Sequence, residues 1–170
     1  MTMHAKEIAG DKGSDVYLHV QTKRAGKVKG ESVAQGHADD IQLIGWTWGA
    51  TTGSAIGSAA STARRQYRPL VVSKGLDSAS TALLSALATN DEVKEATLTM
   101  RKAGGEALDY YRMTLKHGRV VAIDLDIDDQ GRPLERVSFS FTAIEIEYNR
   151  QEATGQSGGA FTFSDDVLPA

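Results

Sequence analysis

Ile41-Gln42-Leu43-Ile44-Gly45-Trp46-Thr47-Trp48-Gly49 is the stretch on which the fold turns. Successive side chains of an extended strand point to opposite faces, so Trp46 and Trp48 share one face and Thr47 takes the other. Two indoles side by side carry a large apolar surface and are most simply buried. Thr47 is therefore expected on a polar outer face, and residues 41–48 read as one half-buried strand.

The same period of two extends along most of the chain. Upstream, Val16, Leu18 and Val20 alternate with Tyr17, His19 and Gln21. Downstream, residues 71–74, 96–103, 108–116, 120–127 and 137–148 read as further strands. In the last of these Phe139 and Phe141 sit at odd positions, whereas Ile144, Ile146 and Tyr148 sit at even ones. A change of parity inside one strand calls for an inserted residue, so a β-bulge is expected near Thr142 or Ala143, bending a strand that suits a small barrel. One helix is expected within residues 79–89, where Ala79, Ala82, Leu83, Ala86 and Leu87 share a face. Asp77, Ser78 and Ser80 are all competent to cap it.

Two segments break the pattern. Residues 49–65 are almost wholly Gly, Ala, Ser and Thr before Arg64 and Arg65, and read as an extended loop without strand or helix period. Residues 151–159 read as a flexible approach to a short final stretch at 160–167. With a polar leader at residues 1–15, this leaves a single domain over residues 16–167, as expected for 170 residues. The leader has no apolar h-region of a signal peptide, and no apolar run approaches the roughly 20 residues of a membrane-spanning helix. Nineteen basic against 22 acidic residues give −3, which offers no footprint for nucleic acid and no reason for membrane insertion. The absence of cysteine rules out disulfides and thiolate metal sites.

Catalytic patterns are wanting, and the chain is read as a non-enzyme without a cofactor. No Gly-x-Ser-x-Gly elbow occurs, and His4, His19, His37 and His117 show no paired ligand spacing. Asp124, Asp126, Asp128 and Glu135 match positions 1, 3, 5 and 12 of a calcium loop, but Asp129 stands where its sharp turn wants glycine. The simpler reading is a strand in which Asp124 and Asp126 face solvent while Leu125 and Ile127 are buried, followed by a hairpin turn at Asp128-Asp129-Gln130-Gly131.

An ordered set of short motifs carries a family likeness: Val16-Tyr17-Leu18, Lys29-Gly30-Glu31-Ser32, Gly36-His37, the 41–49 stretch, Leu76-Asp77-Ser78-Ala79-Ser80, Arg101-Lys102-Ala103-Gly104-Gly105, Tyr110-Tyr111 and residues 135–148. Over residues 16–155 the chain resembles the haemolysin-coregulated protein (Hcp) family of type VI secretion systems. One departure is Thr81, which stands where the family's helix often has proline.

The resemblance implies a mainly β, phage-tail-tube-like fold: a small β-barrel of two antiparallel-rich sheets with one flanking α-helix. It further implies homohexameric rings stacked into an inner tube that carries effector proteins in its lumen and meets sheath, baseplate and spike components. Such a protein waits in the bacterial cytoplasm and is then secreted without a signal peptide. Thr47 becomes the expected lumen and cargo contact, with Thr97, Thr99, Ser138, Ser140 and Thr142 as further polar positions. Ser54, Ile56, Ser58, Arg64 and Arg65 belong to the expected ring-stacking loop. Lys29, Gly30, Glu31, Ser32, His37, Trp46 and Trp48 are the family-motif residues. The alternative is a monomeric β-barrel binding module with calcium at residues 124–135.

Overall fold

The computed structural model describes residues 13–53, 64–103, 107–151 and 157–167. Its strands are β1 (Ser14–Thr22), β2 (Gly26–Val28), β3 (Ile41–Leu43), β4 (Gly45–Thr47), β5 (Ala50–Thr52), β6 (Arg65–Tyr67), β7 (Leu70–Lys74), β8 (Val93–Lys102), β9 (Asp109–Gly118), β10 (Val120–Ile127), β11 (Pro133–Phe139), β12 (Ala143–Gln151) and β13 (Ser157–Asp166). Helix α1 spans Ala79–Ala88.

A seven-stranded sheet runs β13-β12-β9-β8-β1-β2, with β3 also pairing β1, and a four-stranded sheet runs β10-β11-β7-β4. Every ladder is antiparallel. The expected architecture, two antiparallel sheets and one flanking helix, is present. Their inner faces share one core in which Leu18, Ile41, Leu70, Val72, Leu98, Met113, Phe139 and Ile144 are fully buried. Helix α1 adds Ala79, Leu83 and Ala86 to that core and packs against β10 and β2.

Two expected strands are each divided, and for one reason. The stretch 41–48 is two strands: β3 pairs with β1 in the large sheet, β4 pairs with β7 in the small one, and the chain crosses between them at Ile44. Residues 137–148 divide likewise between β11 and β12, so the expected bulge is instead a corner at residues 140–142. When a chain leaves one sheet to enter the facing one, its inward side must be redefined, and the alternation shifts by one. At the second corner Gly118 leaves no room for a side chain, since a Cβ there would lie 1.7 Å from the Ser140 carbonyl oxygen.

Further differences follow from exposure. The base of the 49–65 loop is a ribbon of β5 and β6 whose residues are mostly exposed, so no apolar alternation announces it. Strand β1 begins at Ser14, inside the expected leader, and pairs Ser14 and Asp15 with Lys102 and Arg101. The final stretch is longer than expected, with β13 starting at Ser157. Leu125 and Ile127 are not buried but 63% and 64% exposed, because β10 runs beyond the cover of the core. The turn after β10 forms as expected: the Asp128 carboxylate accepts the Gln130 and Arg132 backbone N–H groups at 2.9 and 2.8 Å.

Ser78 holds the N-cap position of α1 but makes no side-chain cap bond. Asp77 does that work, its Oδ1 accepting from the Ala79 N–H at 2.9 Å, while Ser80 Oγ accepts from the Asp77 N–H at 3.0 Å. Beneath this helix start lies Lys74, fully buried at the inward end of β7. Its ammonium donates to Glu135 (3.1 Å), Ser80 Oγ (3.0 Å) and the Gly75 carbonyl (3.0 Å), and lies 2.8 Å from Asp77.

Candidate functional site

The outward face of the small sheet can be written row by row from its register. Thr47 lies beside Val71, Val71 beside Ser138, and Ser138 beside Ala122. The next row runs Gly45, Ser73, Arg136 and Asp124. These two rows carry mostly small or polar side chains, with Val71 the apolar exception, and one cross-strand pair of opposite charge; the next row pairs Asp126 with Leu134. Thr47 is exposed there, as its alternation with Trp46 and Trp48 requires. The indoles point inward and are half-buried: Trp46 stacks on Tyr111 at 5.9 Å and Trp48 on Tyr67 at 5.7 Å. Trp48 Nε1 is a buried donor without an acceptor among the described residues.

The other polar candidates divide between places. Ser138 shares the row of Thr47. Ser140 and Thr142 are engaged at the corner, where Ser140 Oγ accepts the Arg119 N–H at 3.1 Å and Thr142 Oγ1 donates to the Lys116 carbonyl at 3.3 Å. Thr97 lies on the opposite exterior of the molecule, the outward face of the large sheet, beside a shallow groove lined by Glu95, Arg112, Lys116, Glu145 and Glu147. Thr99 points to the same side but is buried.

The motif residues at 29–40 form a clasp rather than an open site. Gly30 N–H donates to Asp39 O (2.8 Å) and Ser32 N–H to Asp40 O (3.0 Å). A Cβ on Gly30 would lie 2.4 Å from the Asp40 carbonyl oxygen, so this approach requires glycine. Glu31 accepts the Ser78 N–H at 3.1 Å, and the Lys29 carbonyl accepts the Ser78 hydroxyl at 2.9 Å, which fixes the start of α1. Ser32 is buried and its Oγ accepts the Ala34 N–H at 3.2 Å.

His37 is the centre of the clasp. Its Nδ1 lies 2.9 Å from Asp40 and its Nε2 3.0 Å from Asp109. The ring stacks on Tyr17 at 4.5 Å, and Arg101 lies over the same tyrosine while binding Asp109 at 3.0 Å. Asp40 also meets His19 at 3.1 Å and Lys27 at 3.2 Å. Burial pushes the Asp40 carboxyl up, but the hydrogen bonds from His37, His19 and Lys27 outweigh it and hold the group below the usual value. His19 is thus a packing residue of this cluster.

The loop residues fare unequally. Ser54, Ile56 and Ser58 lie outside the described residues. Arg64 is exposed. Arg65 is engaged within its own chain, forked onto Asp165 and donating to the Asp166 carbonyl at 2.9 Å. Tyr67 Oη donates to the same carboxylate at 2.6 Å. These contacts from Arg65 and Tyr67 hold Asp165 below the usual carboxylate range.

The calcium reading finds no support. Asp124 and Asp126 face outward, whereas Glu135 points inward, buried against Lys74. Among the described residues no three His, Asp or Glu side chains are placed so that they could hold a metal ion together.

Sequence reasoning missed the Lys74–Glu135 pair. The signal was present: Lys74 continues the inward alternation of Leu70 and Val72, and Glu135 that of Val137 and Phe139. A charge at an apolar phase position demands a buried partner.

Residues 17–148 match the family described as type VI secretion system effector, Hcp. Protein hcp1 of Pseudomonas aeruginosa is 29% identical over 140 residues, which cover 80% of this chain and 86% of that protein. A solved type six secretion system protein superposes with a TM-score of 0.82 at 24% identity, covering 91% of this chain and 96% of the other. Hcp1 from Salmonella typhimurium gives 0.72 at 25% identity, covering 91% and 95%. With the match to the family extending from β1 into β12, this chain belongs to the Hcp family of type VI secretion proteins.

Proposed function

We propose that the chain is a structural subunit of a type VI secretion tube, closing into homohexameric rings that stack and carry effector proteins in a lumen lined by the face of Thr47. The observation that carries this reading is the small sheet: four antiparallel strands whose edge strands β10 and β4 have no further partner among the described residues, with an outward face of mostly small or polar residues. An open edge is a row of unsatisfied backbone donors and acceptors, prone to pair with another chain. Because the strand count is even, identical copies placed head to tail meet with β10 antiparallel to β4, and the alternation continues around a closed ring. A heterologous contact that closes in this way is the rule for cyclic oligomers. The lumen is then wet and weakly featured, which suits the passage of unlike cargoes.

Export through the type VI apparatus, with sheath, baseplate and spike as neighbours, belongs to the same reading, as does ring stacking through the 49–65 loop. Size-exclusion chromatography with light scattering and negative-stain imaging tests it. Hollow rings at the hexamer mass are expected, and a monomer at every concentration, with cross-linker and without, would defeat it.

A further inference from the structure

Beyond Gly49 the chain leaves both sheets and forms the ribbon of β5 and β6, which among the described residues pair only with each other. A two-stranded ribbon is marginal in water unless something packs against it, and Ala50, Thr51, Thr52, Arg65 and Gln66 are all exposed. Its attachment comes from one face of β6. Arg65 and Tyr67, two residues apart, point the same way, and both reach Asp165 of β13. Arg65 forks onto the carboxylate, with Nη2 3.0 Å from Oδ1, and donates to the Asp166 carbonyl at 2.9 Å. Tyr67 Oη donates to the same carboxylate at 2.6 Å. Among the described residues, these are the side-chain hydrogen bonds that tie the ribbon to the rest of the molecule. The neck is held separately. There Tyr67 packs against Trp48 at 5.7 Å and Phe141 at 6.0 Å, and the Arg68 N–H donates to the Gly49 carbonyl at 2.9 Å. Since β13 is the edge strand of the large sheet, a ribbon that follows β4 of the small sheet is pinned to the other layer.

We infer that Asp165 is an autoinhibitory latch: it occupies Arg65 in the lone subunit, and the ribbon is freed for stacking only when a carboxylate of a second copy takes Arg65 in its place. The inference rests on the reading in which the 49–65 loop stacks rings, and adds a control to it. Arg65 is a charged group that stacking through this loop would use, yet its guanidinium is engaged within its own chain. The contact is open to exchange. The Arg65 side chain is 53% exposed and that of Asp165 22%, so a second carboxylate can reach the guanidinium without anything unfolding. Replacing one carboxylate by another on an exposed arginine conserves the charge-assisted hydrogen bonds, and its net cost is small. The neck does not depend on the latch, because the packing of Tyr67 on Trp48 and Phe141 is untouched when Arg65 lets go. Release therefore turns the ribbon about its base and leaves the fold in place. Dilute rings then stay single, and stacking begins where rings are held close enough for a neighbour's carboxylate to compete.

The test compares stacks formed by purified wild type, Asp165→Asn, Arg65→Ala and the double variant, using sedimentation velocity and length counts in negative stain. Asp165→Asn removes the charge with little change of shape. It should give stacks several-fold longer than wild type at equal concentration, with single rings unchanged. Arg65→Ala should shorten the stacks, and the double variant should match Arg65→Ala, because the latch acts only through Arg65. Amide hydrogen exchange at residues 50–53 and 64–67 of unstacked protein should quicken several-fold in Asp165→Asn. Tyr67→Phe keeps the aromatic packing but removes one hydrogen bond to Asp165, so it should move both readouts the same way by less. That variant decides the matter if Asp165→Asn fails to fold. Stacks from Asp165→Asn no longer than those of wild type, unchanged exchange, or a double variant that stacks like Asp165→Asn would overturn the latch. If Arg65→Ala still shortened the stacks, the stacking reading would survive that result. Equal stacking by all four chains, or none by any, would overturn both.

Discussion

Two buried charge clusters hold this molecule together, and they differ in kind. Beneath α1, Lys74 is sealed from solvent with Glu135 and Asp77, joining the small sheet to the helix start. On the outward side of the large sheet, His37 bridges Asp40 and Asp109 and is flanked by His19, Lys27 and Arg101. The first cluster has one cation deep in the core; the second spreads its charge over several partly accessible groups. A sealed pair punishes removal of one partner, because the other is left charged without water or counterion. A spread network loses one link at a time.

The largest effect should therefore come from Lys74→Met, which strands Glu135: a loss of about 3–5 kcal/mol in urea unfolding is expected. The double variant Lys74→Met/Glu135→Leu should recover most of it. If the double variant is as unstable as the single, the penalty lies in packing rather than stranded charge. Next, His37→Ala should cost roughly 2 kcal/mol, since it removes hydrogen bonds to two carboxylates together with the stack on Tyr17. An equal loss at Lys74 and His37 would erase the contrast.

A smaller, pH-dependent effect separates the clusters further. Asp40 is held below its ordinary value, so its contribution is complete above the unfolded carboxyl value of about 3.9 and is lost as the pH falls through the lower folded value. The stability difference between wild type and Asp40→Asn, measured by chemical denaturation, should be present at pH 5 and should shrink on acidification below about pH 4. The smallest effect is expected at the exposed pair Lys116–Glu145, 3.2 Å apart, where Lys116→Ala should change stability by less than about 0.5 kcal/mol.

Much of this was legible in the chain, though one signal was read too locally. The alternation located most of the long strands and the outward placement of Thr47, and the helical spacing of Ala79, Leu83 and Ala86 located the helix, but β5 and β6 fell in a stretch read as loop. The alternation also carried two changes of parity: Ile41 and Leu43 are odd where Trp46 and Trp48 are even, and Phe139 is odd where Ile144 is even. Both mark the passage from one sheet to the other. A bulge satisfies the same parity count, and only the pairing partners distinguish the two. Leu125 and Ile127 misled for a related reason, since alternation reports which face a residue takes but not whether anything covers that face. The clasp was half visible: Gly30 and His37 stood in recognisable motifs, but Asp109 is 72 residues from His37 and nothing local to it announces the contact.

The two corners have a mechanical consequence. The small-residue face and the charged face belong to different layers, and between those layers the chain passes directly at Ile44 and at residues 140–142. A load that drags one layer lengthwise past the other is thus borne by covalent backbone at two points, and not by side-chain interdigitation alone. Gly118 closes the second of these so tightly on Ser140 that the joint has little slack to give. The molecule is built like a box girder, whose walls can be thin because its corners do not slide.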